Sequence, residues 1–314
     1  MKKEVGIAGL LLVLCVVVEL LNHRFLSGTN LHNMALLIGM YGIFSIGGGL
    51  VIITGGIDLS VGSMFALLGV LLSMMLNDKH WAWPLAIAVI LVIGAGLGSL
   101  HGYLITRVKL QPFVVTLCGL LFYRGLARFV ANDETKGFGD ALGFENLRAF
   151  MTGSVAGVPV AFILLLIVAA AMAVLLHRSI YGRYLFAVGR NEDAARYSGI
   201  DTKRVIASAY VLSGLLAALA GILIAFYTNS ISPSSHGNFY ELYGIAAAVL
   251  GGCSLRGGEG SILGILLGTA LLQVLQNLVN LLGIPSSLNF AVMGAVILLG
   301  VVADQLVKGR KEVG

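Results

Sequence analysis

Charge is scarce in this chain. Only 11% of its 314 residues are Asp, Glu, Lys or Arg, where soluble domains average roughly 25%. Most of the polypeptide therefore has no water to face, and its mean hydropathy is +0.96. Cysteine is nearly absent. Cys15, Cys118 and Cys253 lie far apart, in or beside apolar runs, without metal-ligand spacing, and read as small buried residues. No Gly-Lys dipeptide occurs, which excludes a Walker A phosphate loop. There is no HExxH, no paired-cysteine motif and no GxSxG elbow. The six histidines (His23, His32, His80, His101, His177, His236) are scattered. Catalysis by this chain is not expected, and no catalytic or metal site is assigned. The net charge of +5 is not read as nucleic-acid binding, because its distribution is what matters.

What remains is long apolar runs. A membrane span takes about 20 such residues, with a range of about 17–25. Ten segments qualify with soft boundaries: 5–21, 34–54, 61–76, 84–106, 112–130, 159–176, 205–227, 240–252, 261–282 and 287–303. Pro84, Pro112 and Pro159 each open a span, where the missing N–H costs nothing. Pro233 and Pro285 fall in connecting segments, so no proline interrupts a span. Met1-Lys2-Lys3 before an apolar run resembles a signal peptide. Without a clear small-x-small cleavage site, it reads as an uncleaved first helix.

Lys and Arg give the orientation. With a cytoplasmic N-terminus and ten alternating spans, the outer side holds Arg24, Lys79, Arg124, Arg128, Lys136 and Arg148. The remaining 14 of the 20 cations lie inside. The predicted fold is all-α: one polytopic integral membrane domain over 1–314, about ten transmembrane helices, both termini cytoplasmic and no appended soluble domain. The eighth span is the weakest, being short with Glu241 at one end. It is kept as a crossing, extended by residues 229–239 folded into the outer half of the membrane.

Two long intervals lie outside the spans. Residues 131–158 are predicted to form an ordered external loop, either a docking place for a soluble partner or a plain lid. Residues 177–204 face the cytoplasm and hold a short capped helix. Asn191 is its N-cap, Glu192 and Asp193 sit at the positive end of its dipole, and Gly199 stops it. Asp201 or Thr202 caps the next helix. Something soluble reads this element, or it is an ordinary helical loop.

Polar residues inside the spans are few. Residues 53–63 (ITGGIDLSVGS) put a carboxylate, two serines and three glycines between two spans. Asp58, helped by Ser60, either caps the third span or lines a solute path. Gly94, Gly98 and Gly102 recur every fourth residue, as do Gly260, Gly264 and Gly268. Such stripes let helix backbones approach closely, within one chain or across a dimer. Gln273, Gln276, Asn277 and Asn280 cluster on the ninth span; they bond neighbouring helices or face an aqueous path. Tyr41-Gly42-Ile43 before Gly55-Gly56 echoes Tyr243-Gly244-Ile245 before Gly251-Gly252, a hint of internal duplication.

Four stretches together resemble one family. They are GGIDLSVGS at 55–63, LQPFVVTL at 110–117 with Arg124-Gly125 after it, GRYLFAVGRNEDAARYSGI at 182–200, and AAVLGGCSLRGGEGSILGILLG at 247–268 with Asn277 following. They are similar to the membrane permease subunits of bacterial ABC importers for monosaccharides such as ribose, xylose and arabinose. The resemblance runs from about the second span to the tenth. It implies a dimer of permease chains in the inner membrane, a cytoplasmic ABC ATPase that uses ATP and Mg, and a periplasmic sugar-binding protein. No cofactor is expected on this chain. The match to 182–200 implies that Gly182, Arg183, Ala187, Gly189, Asn191, Ala194, Ala195, Ser198 and Gly199 form the ATPase-coupling segment. The path or gate residues are expected to be Asp58, Ser60, Gln273 and Asn277. Cys253 stands where the family commonly has Ser or Thr, and Arg256 where a smaller residue is common. Segment 131–158 matches no member, and no residue pattern specifies the sugar or whether the two permease chains are identical.

The rival reading is an ion-gradient-driven secondary carrier. It requires ionisable groups buried mid-span, and Glu19, Asp58, Glu241 and Asp304 lie mostly near span ends. A membrane enzyme acting on lipid or sugar would need a catalytic cluster, which is missing.

Overall fold

The computed structural model describes residues 2–139 and 143–285, with 288, 291, 292, 294, 295 and 298 beyond them. Twelve helices follow in order among these residues. Six long ones come first with a smaller one between: α1 Lys2–Leu21, α2 Gly28–Ile53, α3 Val61–Ser73, α4 Trp83–Thr106, α5 Pro112–Ala131, the short external α6 Glu145–Thr152, and α7 Val160–His177. Two short inner helices follow, α8 Ile180–Arg190 and α9 Glu192–Tyr197. Then come α10 Thr202–Thr228, α11 Tyr240–Leu250 and α12 Ile262–Leu281. Eight are long and apolar enough to cross a membrane, counting α3 with the π-helical turn Met74–Asp78 that continues it. The tenth expected span, 287–303, and the C-terminal Asp304, Lys308, Arg310 and Lys311 lie outside or largely outside the described residues.

Several helices are longer than their apolar runs. α2 starts six residues before the expected position because Ser27 caps it, its hydroxyl accepting from Asn30 N. α10 starts at Thr202 because the Asp201 carboxylate accepts from Arg204 N at 3.1 Å. Capping chemistry, not hydrophobicity, sets both ends.

α2 and α10 form the middle of the bundle, buried on most sides. α10 lies along α4 and α2; α7, α11 and α12 also pack on α2, and α1 packs on α12. Both small-residue stripes serve these contacts within one chain. A Cβ on Gly94 would stand 2.5 Å from the Ala218 methyl, and one on Gly102 2.8 Å from Ala207 Cα. Gly98 faces the Tyr210 carbonyl, and Gly264 and Gly268 face the carbonyls of Gly251 and Ala247. An aromatic cluster of Tyr41, Phe44, Phe65, Tyr240 and Tyr243 fills the space between α2, α3 and α11.

The external interval is ordered where it is described. Strand β1 (Lys136–Gly137) pairs antiparallel with β4 (Ser230–Ile231). Ser73 Oγ and Asn77 Nδ2 both donate to Gly137 O, at 2.7 and 2.5 Å. Phe138 is buried against Phe144 and Phe226. Strands β2 (Ser154–Val155) and β3 (Val158–Pro159) form a hairpin whose two turn residues, Ala156 and Gly157, both have positive φ.

α11 is the short member. Its 11 residues rise about 16 Å, half of a hydrocarbon core of about 30 Å. Irregular backbone at 232–239 leads into α11, and of the 229–239 stretch expected to extend this span Ser230–Ile231 are strand.

Candidate functional site

At the inner face the expected capped helix is one arm of an elbow. α8 begins at Ser179, whose Oγ accepts from Gly182 N at 3.2 Å. It ends before Asn191, whose backbone is extended at φ −162° and ψ 103°. Asn191 Oδ1 accepts from Ala194 N at 2.9 Å and starts α9. Gly199 closes α9 at φ +86°, with Ile200 N donating to Ala195 O at 3.1 Å. Thr202 Oγ1 donates to Glu192 Oε1 at 3.1 Å, tying α9 to the head of α10. The α8 arm was not anticipated. Its signal is in the sequence: Tyr181, Leu185 and Val188 recur at helical spacing and turn inward, while Arg183 and Tyr184 stay exposed. Burial pushes the Tyr181 phenol above its ordinary value, and a hydrogen bond from Ser208 partly opposes that.

The nine coupling residues divide by direction. Arg183, Asn191, Ala194, Ser198 and Gly199 are exposed. Gly182 and Ala195 are buried, and Ala187 and Gly189 are half-buried. Of the nine, Arg183, Asn191, Ala194 and Ser198 offer exposed side chains to a partner. A Cβ on Gly182 would overlap the Leu176 carbonyl, so α8 leaves α7 through a contact that admits only hydrogen.

From the inner end of α2 the chain turns back into the bundle. Gly56 N donates to Val51 O at 3.1 Å around Gly55, at φ +84°. Residues 57–60 then reach Asp58 and Ser60. Asp58 is buried; Oδ1 accepts from Ser60 N at 3.0 Å and Ser60 Oγ at 2.6 Å, and Oδ2 accepts from Ser213 Oγ at 3.0 Å. Ser213 stands eleven residues into α10, about 16 Å from its inner end. Asp58 is therefore near mid-depth. It does not cap α3: Ser60 is the N-cap residue and makes no side-chain cap bond. The carboxylate instead joins an irregular turn to α10, because backbone that leaves the helix inside a membrane needs partners from the protein.

A second polar cluster adjoins it from the outer side. Arg124 on α5 donates to Pro233 O at 3.1 Å and His236 O at 2.8 Å, and reaches Gly62 O at 3.5 Å. Cβ atoms on Gly62 and Gly237 would collide with each other's backbones, and Glu241 lies against Gly62. The irregular segments 54–60 and 232–239 thus enter from opposite sides and meet at the first turn of α3. Beside them, Tyr123 OH and His101 Nε2 are 2.8 Å apart, Thr116 Oγ1 donates to Ile57 O, and Tyr210 OH donates to the same carbonyl at 3.4 Å.

The four expected path residues are not one cluster. Asp58 and Ser60 touch; Gln273 and Asn277 stand on α12. Asn277 pairs its amide with that of Asn30 on α2, through bonds of 3.0 and 2.7 Å. Gln273 is buried. Arg124, Ser213, His101 and Tyr123 were not singled out as path residues. An arginine twelve residues into a span was the available sign for Arg124.

Comparison with known proteins agrees with this architecture. Residues 30–301 match the family described as "Branched-chain amino acid transport system / permease component". The chain is 40% identical over 296 residues to the ribose import permease protein RbsC of Bacillus subtilis strain 168, covering 94% of this chain and 90% of that one. It is 37% identical over 314 residues to the probable ABC transporter permease protein y4mJ of Sinorhizobium fredii, covering 99% and 91%. It is 30% identical over 343 residues to the xylose transport system permease protein XylH of Escherichia coli K12, covering 91% and 87%. No solved structure matches it significantly. With its polar turns enclosed among membrane-spanning helices and its elbow on the inner face, this chain belongs to the permease-component family of membrane transport systems.

Proposed function

We propose that this chain is the inner-membrane permease subunit of an ATP-binding-cassette importer that carries a ribose-like monosaccharide into the cell. The family description names amino acids, but relatives at 30–40% identity over most of the chain carry the names ribose and xylose permease, which favours a sugar. Two permease chains, taken to be identical, form the pathway. A cytoplasmic ATPase binds ATP and Mg and docks on the α8–α9 elbow, and an external binding protein delivers the sugar. The permease binds no cofactor and makes no covalent bond.

The observation that carries the mechanism is the division of the elbow into an exposed face and an inward face packed against the spans. Nucleotide-driven closure of the ATPase displaces α8 and α9, and the pathway switches between outward and inward access. Asp58 and Ser60 hold the inner irregular turn at mid-depth; Gln273 and Asn277 on α12 complete the polar positions assigned to the path. The test is reconstitution in proteoliposomes with the partner ATPase and binding protein. Ribose uptake should require ATP and both partners. Uptake by this chain alone under an imposed proton or sodium gradient would overturn the reading.

A further inference from the structure

Both glycine turns on the inner side touch the same helix end. Gly258 N, from the 251–261 turn, donates to Ile53 O at the end of α2 at 2.8 Å. A Cβ on Gly189 of α8 would overlap Ile53 O and stand 2.6 Å from Gly258 N. One on Gly257 would lie 2.5 Å from Gly189 O and 2.9 Å from Gly55 N, and one on Gly258 2.9 Å from Arg190 Cα. Gly257 and Gly258 have φ of +84° and +74°, where side chains are disfavoured. The last turn of α8, the end of α2 and the 251–261 turn therefore meet backbone to backbone. No rotatable side chain lies between them to take up a displacement, and close-packed backbone transmits strain.

Each turn leads onward. Five residues beyond Ile53 is Asp58 at mid-depth. The other turn ends at Ser261, whose hydroxyl accepts from Gly264 N at 3.0 Å to start α12 and donates to Glu4 of α1 at 3.0 Å.

We infer that the last turn of α8 is a rigid joint, with Gly189 as its positioning residue, that carries displacement of the inner-face elbow into both glycine turns at once. Through residues 54–60 the movement reaches Asp58 and the first turn of α3, beneath the outer segment held by Arg124. This rests on the coupling role proposed for the elbow, but assigns Gly189 to transmission, not to docking.

Two measurements test it, on the full complex with its ATPase and binding protein. The unaltered complex must first show ATP-dependent uptake; failure there counts against the permease reading and not against the joint. Gly189→Ala should then keep the ATPase bound, because the exposed residues of the elbow are unchanged. Uptake should fall about tenfold or more while ATP hydrolysis continues. Normal uptake, or release of the ATPase, overturns the joint. Because the added methyl could disturb folding, the second measurement leaves every glycine in place. Spin labels are placed at Tyr184→Cys and Leu255→Cys, exposed at 42% and 52%, in a chain whose Cys15, Cys118 and Cys253 are replaced. A rigid joint gives the same inter-label distance in the nucleotide-free and ATP-bound complexes. A nucleotide-dependent distance overturns it.

Discussion

Removing the Asp58 carboxylate should release the inner turn from α10. Asp58→Ala strands three donors that now bond it: Ser60 N, Ser60 Oγ and Ser213 Oγ. A buried donor left unmet costs about 1–3 kcal/mol. The two hydroxyls can rotate, and Ser60 Oγ already has the Met64 sulfur at 3.5 Å, so the lower part of that range applies to them. The sum is about 3–5 kcal/mol. Asp58→Asn is the informative partner. Its Oδ1 still accepts from both Ser60 donors, and its Nδ2 can donate to the Ser213 hydroxyl. It should cost about 1 kcal/mol, the difference between a charge-assisted and a neutral set of bonds.

The assay is thermal unfolding in lipid nanodiscs, run beside uptake in proteoliposomes. The expected order of stability is wild type, then Asn, then Ala, with the Ala variant well separated. An Ala variant as stable as wild type would refute the latch. An Asn variant with wild-type stability but no uptake would show that transport needs the negative charge itself, and the carboxylate would then be a path residue instead of a structural one.

Arg124→Met should free the 232–239 segment, because two carbonyl acceptors lose a charged donor; a cysteine placed at Ser235 should become several times more reactive to external maleimide, and unchanged labelling would count against the clamp. Gly98→Ala should lower the yield of folded protein, since its Cβ would overlap the Tyr210 carbonyl, whereas Gly96→Ala meets nothing within 4 Å and should be neutral or gain up to about 1 kcal/mol; equal effects would refute the α4–α10 packing argument. Asn191→Ala should cost about 1 kcal/mol of α9 stability and weaken ATPase binding in pull-downs, and Asn191→Asp should restore both. Asn277→Leu should cost about 1–3 kcal/mol by stranding Asn30 Oδ1; because Asn30 Nδ2 also donates to Phe25 O at 2.8 Å, the double change with Asn30→Leu breaks that bond as well and should recover little of the loss in nanodisc unfolding.

The spans were legible because apolar run length is a one-dimensional quantity, and nearly every expected segment within the described residues is a helix. Cap residues moved the ends: Ser27 and Asp201 each add helix outside the apolar run. Asn191 and Gly199 could be read as cap and stop because those roles are local. α8 was missed because its apolar residues occupy one narrow face of a polar interval. Asp58 was noticed, but not its partner. Ser213 is 155 positions away, and a serine in an apolar span carries no sign of which carboxylate it meets. The same holds for Arg124, whose acceptors are main-chain carbonyls that any residue supplies.

The few ionisable groups at depth bear on the mechanism. An ion-gradient carrier needs buried groups free to gain and lose a proton or bind a cation. Here two of these groups, the buried Asp58 and the half-buried Arg124, lie where the backbone leaves the helix. Arg124 bonds the carbonyls of a turn, and Asp58 bonds the hydroxyls and amide that order another. Irregular backbone inside a membrane requires such partners whether or not an ion is carried. Their presence is therefore no argument for ion coupling. Their engagement is an argument against it, since releasing either group would leave its turn unsupported. The elbow, for its part, reaches both turns through contacts of bare backbone.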